Sequence, residues 1–135
     1  MTVPGGSGVV ARQAEAAPPI EVLEELHASP DRRARGSFRV ARADSVLELA
    51  GWALGLDSAV IEIEVSVAGE IVGRAAPTGE RPDIAAAFPD RGAAASCGFA
   101  LALKPSGAGQ SRLSVDAALA DGTRVTLGEL RVATH

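Results

Sequence analysis

Hydrophobic and polar residues alternate along most of the chain after residue 36, with the two-residue period of β-strands. The clearest run spans residues 60–67, where apolar residues alternate with Glu62, Glu64 and Ser66. We expect one face of this strand to be buried and the two glutamates to lie on a solvated face. Further alternating runs lie near residues 38–41, 46–54, 99–103, 112–119 and 125–132. About seven short strands in roughly 100 residues predict an all-β, antiparallel, immunoglobulin-like sandwich over residues 36–135. A small barrel is the alternative.

Three local signals predict how these strands connect. Ala68-Gly69 predicts a tight turn between two strands. Asp121-Gly122 predicts a two-residue hairpin, because both central residues of such a turn need a positive φ. The alternation slips by one residue at Gly128-Glu129, which predicts a β-bulge.

The long connection from residue 76 to residue 97 predicts a short helical turn. Asp83 is placed to cap its first free N–H groups, and Pro89 stops it. Ile84 and Phe88 are four residues apart and share one helix face, so we expect them to dock the turn on the sandwich. We expect Arg81 and Asp83 either to pin this connection or to contact a partner.

The first 35 residues form a separate segment in this interpretation. Residues 1–19 are rich in Gly, Ala and Pro without an apolar period, which predicts a flexible segment. Residues 20–27 read IEVLEELH, and the three-residue spacing of the apolar positions predicts a short amphipathic helix. A helix that short needs a partner surface. Leu23 and Leu26 are therefore candidate partner-binding residues.

Composition excludes several classes of protein. The chain has 135 residues and a formal net charge of -4, which argues against a nucleic-acid partner. A single cysteine excludes an internal disulfide framework. No apolar run reaches the length of about 20 residues that a membrane span needs. No secretory signal is recognisable at residues 1–19, so we expect a cytoplasmic protein.

Side chains for catalysis or metal binding are scarce. His27, His135 and Cys97 are the only histidines and cysteine. His27 lies in the N-terminal segment and His135 is the last residue, and a catalytic base would lack rigid support at either place. Cys97 precedes a predicted strand without a cation beside it in sequence, so we expect a buried, unreactive thiol. We therefore expect no enzyme activity, no cofactor and no metal.

Two side-chain groups could bind ligands from solution. Arginines cluster at residues 32–42, and this cluster either meets an anionic partner or neutralises the acidic residues before it. Aromatic side chains can stack on sugar rings, and Trp52 and Phe88 are the candidates for such a platform. We expect Trp52 to fill the core instead, which weighs against this alternative.

Four short motifs occur in an order that resembles a known module. They are the residues 51–54 (GWAL), the strand 60–67 followed by 68–73 (AGEIVG), 81–89 (RPDIAAAFP) and 98–101 (GFAL). Over residues 36–132 this is similar to a small β-sandwich module that accompanies bacterial glycosyltransferases and related cell-envelope sugar enzymes. The resemblance implies an accessory, non-catalytic domain in glycan assembly, and it implies no catalytic residues.

Residues and resemblance together predict a non-catalytic interaction module. The expected partner is a protein, either a sugar-transfer enzyme or a second copy of this chain. Its candidate contacts are Leu23, Leu26, Arg81 and Asp83. The alternative is direct carbohydrate binding through Trp52 and Phe88.

Overall fold

The computed structural model describes residues 20–43, 45–104 and 109–134, and strands make up most of them. The elements in chain order are β1 (Ile20–His27), β2 (Ala34–Ala43), β3 (Val46–Gly55), β4 (Val60–Val67), β5 (Glu70–Ala75), α1 (Pro82–Ala87), a 3-10 helix (Gly92–Ser96), β6 (Gly98–Leu103), β7 (Gly109–Leu119) and β8 (Arg124–Thr134). No helix among these residues is long and apolar enough to cross a membrane.

Two antiparallel sheets contain the eight strands of the described residues. The larger sheet has the order β1-β8-β7-β4-β5, and the smaller has the order β2-β3-β6. The prediction of an all-β protein with two antiparallel layers is confirmed. The described residues form one strand more than the seven expected, because β1 joins the larger sheet beside β8.

The main core lies between the sheets and draws on alternate residues of both. The smaller sheet contributes Phe38, Leu47, Leu49, Ala53, Phe99 and Leu103, and the larger contributes Ile20, Ile63, Val65, Leu113, Val115, Ala117, Leu127, Leu130 and Val132. Burying a side chain such as Val, Leu, Ile or Phe stabilises the fold by about 1.5–3 kcal/mol relative to exposure. This apolar layer therefore holds the two sheets together.

The predicted helix at residues 20–27 is wrong, because these residues form β1. Ile20 is 1% exposed and Leu26 is 50% exposed, so they do not share a buried face. The pairing with β8 shifts between Val22 and Glu24, which leaves Leu23 as an extra residue in a bulge. That extra residue lengthens the two-residue period locally and imitates helical spacing. The sandwich includes Ile20–His27, which lie before the boundary predicted at residue 36, and the segment 1–19 predicted to be flexible lies outside the described residues.

The turn predictions have different outcomes. Ala68 and Gly69 have φ values of 53° and 84°, which confirms a tight turn with two left-handed residues. At Asp121-Gly122 only the glycine has a positive φ, so the predicted two-residue hairpin is wrong. The Asp121 carboxylate instead accepts hydrogen bonds from the backbone N–H of Thr123 at 2.9 Å and from its hydroxyl at 2.6 Å. This side-chain turn closes a longer loop.

The predicted bulge in the last strand is confirmed one residue earlier than expected. Val115 pairs with Gly128, and Asp116 pairs with Thr126, which leaves Leu127 as the extra residue. Leu127 and Gly128 are both buried, so the slip returns the strand to its apolar register.

The long connection packs on the outside of the smaller sheet. Its helix α1 is confirmed, and Ile84 is buried in a second cluster with Leu54, Ala94 and Cys97, against which Phe88 packs. Asp83 lies in the first turn of α1 and not at its N-cap, where the sequence had placed it. Arg81 occupies the N-cap position, and its side chain makes no capping hydrogen bond.

Candidate functional site

A groove lies on the outer face of the smaller sheet. Strand register aligns Ser37, Trp52 and Gly98 in one row across β2, β3 and β6. The next row contains Arg39, Ala50 and Ala100. These residues alternate with side chains of the main core, so they face away from it. Small side chains at most of these positions form the floor of the groove.

The segment from residue 76 to residue 81 forms one wall of this groove. Gly79 is held against Gly98 by two backbone hydrogen bonds of 2.8 and 2.9 Å. A Cβ at Gly98 would lie 3.1 Å from both the Gly79 carbonyl oxygen and the Arg81 side chain, so a larger residue would have to push this wall outward. The groove has a volume of about 640 Å³, within the usual range of small-molecule sites. Its polar lining consists of Ser37, Arg39, Thr78, Glu80 and Arg81.

Trp52 lines the same groove and is half-buried. Its ring centroid lies 6.1 Å from that of Phe88, with an angle of 49° between the rings. The expectation that Trp52 fills the main core is wrong. Leu49 and Ala53 face inward, so alternation along β3 directs Trp52 to the outer face. The structure thus brings together the two residues predicted for the carbohydrate alternative, with Trp52 beside polar groups of the groove.

Arg81 and Asp83 form an ion pair beside the groove. The Arg81 guanidinium donates two hydrogen bonds to the Asp83 carboxylate, at 3.0 and 2.8 Å. This contact lowers the pKa of Asp83 to about 2 and raises the pKa of Arg81. Arg81 also donates its backbone N–H to the carbonyl of Ala95 at 2.9 Å, which ties the segment before α1 to the 3-10 helix.

Other charged groups of the groove have no such partner. Among the described residues, neither Arg39 nor Glu80 has an oppositely charged group within ion-pair distance. Both side chains belong to exposed residues. They can therefore form hydrogen bonds with a ligand without first breaking an internal ion pair.

Leu23 and Leu26 lie on the other sheet, so the structure does not bring them together with Arg81 and Asp83. Leu23 is half-buried in the β1 bulge. Leu26 is 50% exposed and pairs with Glu129 of β8. They consequently do not form the shared apolar stripe that the predicted helix would have presented.

Ion pairs cover the outer face of the larger sheet. They are Glu62–Arg74 at 3.5 Å, Glu64–Arg124 at 2.6 Å, Glu129–Arg112 at 3.9 Å and Glu24–Arg131 at 3.4 Å. The expectation that both strand glutamates are solvated is wrong for Glu64, whose side chain is 7% exposed. Hydrogen bonds from Arg124 lower the pKa of Glu64. The ion pair with Arg124 compensates for the burial of the Glu64 carboxylate, because a buried charge needs a charged or hydrogen-bonding partner.

The residues suited to nucleophilic or metal chemistry are dispersed. Cys97 is 2% exposed, and burial raises the pKa of its thiol. His27 lies on β1, with its ring 4.7 Å from that of Phe38. Within the described ranges, three or more His, Cys, Asp or Glu side chains nowhere converge on a possible metal position. His135 lies outside the described residues.

Comparisons of the chain with protein-family models, with curated proteins and with solved structures find no match.

Proposed function

We propose that this protein is a non-catalytic binding module whose groove on the smaller sheet binds carbohydrate in bacterial glycan assembly. The observation that carries the proposal is the half-buried indole of Trp52 in the wall of a groove rich in hydrogen-bonding groups. This arrangement revives the alternative that the sequence favoured less.

The groove has both kinds of surface that a sugar ring needs. A sugar presents C–H groups on its faces and hydroxyl groups around its rim. The indole offers a large apolar contact that loses little conformational entropy on binding. Ser37 and Thr78 offer hydroxyls, Arg39 offers donors and Glu80 offers acceptors. A groove fixed by the Gly79–Gly98 hydrogen bonds is largely preformed, which reduces the cost of binding.

The strand order supports an immunoglobulin-like sandwich. With β1 set aside, a three-stranded sheet β2-β3-β6 faces a four-stranded sheet β8-β7-β4-β5. In immunoglobulin-like domains, the last strand likewise pairs with the one before it, which pairs with a strand from the first half of the chain. Here β8, β7 and β4 have those relations, and β5 extends their sheet.

The separation of Cys97 from His27 supports a non-catalytic role. Nucleophilic catalysis needs an activated nucleophile and a nearby base. Cys97 lies in the second cluster on the outer side of the smaller sheet, and its raised pKa disfavours the thiolate. His27 lies on an edge strand of the larger sheet. Binding is therefore the role that the groove supports best.

The test is a titration with monosaccharides, neutral and acidic oligosaccharides and nucleotide sugars, followed by amide NMR and by fluorescence. Trp52 is the only tryptophan, so fluorescence reports directly on the groove. We expect saturable shifts at the residues around Trp52. Ala100→Leu places a larger side chain on the floor of the groove. That side chain should clash with a bound sugar and weaken binding about tenfold or more. Ala102→Leu, on the same outer face but beyond the groove lining, should bind as the wild type does.

Two outcomes would overturn this proposal. One is the absence of saturable shifts with every sugar in the panel. The other is a set of shifts centred on the larger sheet, with equal affinities for the Ala100→Leu and Ala102→Leu variants.

A second candidate function is contact with a protein, either a partner enzyme or a second copy of this chain. The observation that favours it is Leu26, which is 50% exposed on an edge strand. Sedimentation of the wild type over a range of concentrations tests self-association. If the copies meet at β1, Leu26→Ser should shift the protein towards monomer, and Val72→Ser, a 49%-exposed apolar residue of β5, should not. A monomer at all concentrations contradicts self-association.

A further inference from the structure

We propose that the groove binds the end of a glycan chain, with the terminal sugar ring in an inner corner between Trp52 and the segment of residues 76–81. This inference rests on the proposed function and specifies which part of a carbohydrate the site recognises. It is carried by two walls that meet beside the indole and by an open floor that leads away from them.

The first wall closes the groove at the end nearest to α1. Leu54 follows Trp52 on the outer face of β3, because residues of one face alternate along a strand. Leu54 is 1% exposed and belongs to the second cluster, which α1 and the 3-10 helix cover. The Trp52 side chain packs against this cluster and also lines the groove. A ligand that runs along β3 towards α1 therefore meets the indole and stops there.

The second wall closes the groove along β6. Residues 76–81 lie beside this strand, and Gly79 is hydrogen-bonded to Gly98 in the row that contains Trp52. The backbone N–H of Arg81 ties the same segment to the 3-10 helix, so both contacts hold the wall in place. A ligand that crosses the strands from β2 therefore meets this segment. The two walls form the inner corner.

The floor leads from the inner corner to an exposed surface. Ala50 lies two residues from Trp52 along β3, which corresponds to roughly 7 Å. The next row of the sheet is exposed and lies outside the groove lining, and in the described part of the chain it consists of Ala41, Glu48 and Ala102. A glycan held at the inner corner can therefore leave the groove over this row.

This geometry distinguishes the end of a chain from its middle. An internal sugar unit is linked on both sides, so one of its neighbours would run into the indole or into residues 76–81. A terminal unit is linked on one side only, and its neighbour can follow the open floor. Units beyond the groove lie over exposed surface, where contacts add little binding free energy. The groove therefore recognises the terminal unit and tolerates the rest of the chain.

The test compares glucose ligands that differ in whether they have an end. The probes are maltohexaose, the cyclic α-cyclodextrin with the same units and linkages, and maltose, each titrated into the whole protein and followed by Trp52 fluorescence and calorimetry. Glucose is suitable because the hydroxyl groups on its ring carbons C2 to C4 are equatorial, so both ring faces offer C–H groups to an indole.

An end-binding groove has a definite pattern of affinities. We expect maltohexaose to bind at least about tenfold more tightly than α-cyclodextrin, because a ligand without an end clashes with a wall. Maltose should bind within about threefold of maltohexaose, since the further units contact only exposed surface. Ala100→Leu should weaken binding of maltose and maltohexaose by the same factor, and the matched control Ala102→Leu should leave both unchanged.

A nitroxide label on the reducing end of maltohexaose shows where the rest of the chain lies. If the reducing end occupies the inner corner, the label should abolish binding. If the other end occupies it, the label should broaden the amide signals of Glu48 and Ala102 more than those of Ile84 and Phe88. Stronger broadening at Ile84 and Phe88 would overturn the inference, because the chain would then pass the closed end.

The outcomes separate this inference from the proposed function. Equal affinity for maltohexaose and α-cyclodextrin would overturn the inner corner while carbohydrate binding stands. The same holds if maltohexaose binds more than about tenfold more tightly than maltose, because the site would then extend along the chain. It also holds if another sugar of the panel binds and neither maltose nor maltohexaose does. Failure of every sugar to bind would overturn both proposals.

Discussion

Glu64 supplies a buried carboxylate whose charge depends on one arginine of another strand. Arg124 donates hydrogen bonds to its two oxygens, from Nε at 2.6 Å and from Nη2 at 3.3 Å. The glutamate side chain is 7% exposed, whereas that of Arg124 is 55% exposed. Hydrogen bonds to a charged group contribute about 1.5–3 kcal/mol when buried, and the exposure of Arg124 reduces this. We therefore expect Glu64→Gln to lower the free energy of unfolding by about 1–2 kcal/mol at neutral pH.

The lowered pKa of Glu64 determines how the free energy of unfolding changes with pH. Arg124 lowers the pKa of folded Glu64 below its ordinary value of 4.5, so the unfolded chain binds the proton more readily. The stabilisation is then complete above about pH 4.5 and is lost as the pH falls through the lower pKa of the folded state. The deficit of Glu64→Gln relative to wild type should be constant from neutral pH down to that point and should shrink below it.

Arg124→Gln should lose part of its stability deficit at a higher pH than Glu64→Gln does. Without its cation, the buried carboxylate is disfavoured, and its pKa rises above the ordinary value. This variant should be less stable than Glu64→Gln at neutral pH, because it leaves a buried charge without its partner, and part of its deficit should be recovered as Glu64 takes up a proton above pH 4.5. Arg112→Gln is the control, because its partner lies 3.9 Å away and both side chains are exposed. It should cost less than about 1 kcal/mol.

Urea unfolding of all four proteins between about pH 3 and pH 7 measures these differences. Differences between variants cancel the other acidic groups, such as Asp31 and Asp83. A Glu64→Gln deficit that stays constant down to about pH 3 would refute the assigned role of this ion pair. So would an Arg124→Gln deficit that narrows only below pH 4.5.

Three further predictions concern stability and reactivity. Phe38→Ala should lower the free energy of unfolding by about 3–5 kcal/mol and Trp52→Ala by less, because Phe38 is 2% exposed and Trp52 is half-buried on an outer face. Chemical denaturation measures both, and equal losses of stability would contradict the placement of Trp52. Ala68→Asn should raise stability by about 0.5–1 kcal/mol, since asparagine tolerates the left-handed conformation at φ 53° better than alanine; an unchanged or lower melting temperature refutes this. Cys97 should react with Ellman's reagent only as fast as the protein opens, because the thiol is buried and its pKa is raised; rapid labelling of folded protein argues against its burial.

Strand periodicity predicted the sandwich because one face of each strand must be buried. Residues 60–67 show this alternation directly. At β1 the same reasoning failed, because the bulge at Leu23 shifts the period by one residue. Pairing with β8 decides the conformation there, and that contact involves residues more than 100 positions away. The pairing of β1 with β8 therefore cannot be predicted from the residues of β1 alone.

The candidate site was only partly accessible from the sequence. The inward positions of Leu49 and Ala53 already implied that Trp52 faces outward, so the alternation along β3 was enough to predict that Trp52 lies outside the main core. The wall of the groove was not accessible, because it depends on the backbone hydrogen bonds between Gly79 and Gly98 that hold residues 76–81 against β6. Arg39 belonged to the predicted arginine cluster, but its lack of an ion-pair partner depends on where the acidic side chains lie in three dimensions.

The pairing of β1 with β8 has a consequence for how this domain can be connected to other proteins. Ile20 is opposite Thr134, so the described chain enters and leaves the sandwich at the same corner. Paired residues on antiparallel strands have Cα atoms about 5 Å apart. A domain with adjacent entry and exit points can be inserted into a surface loop of a host protein without forcing the loop apart. The groove lies on the other sheet, so such a host would leave it open to ligand.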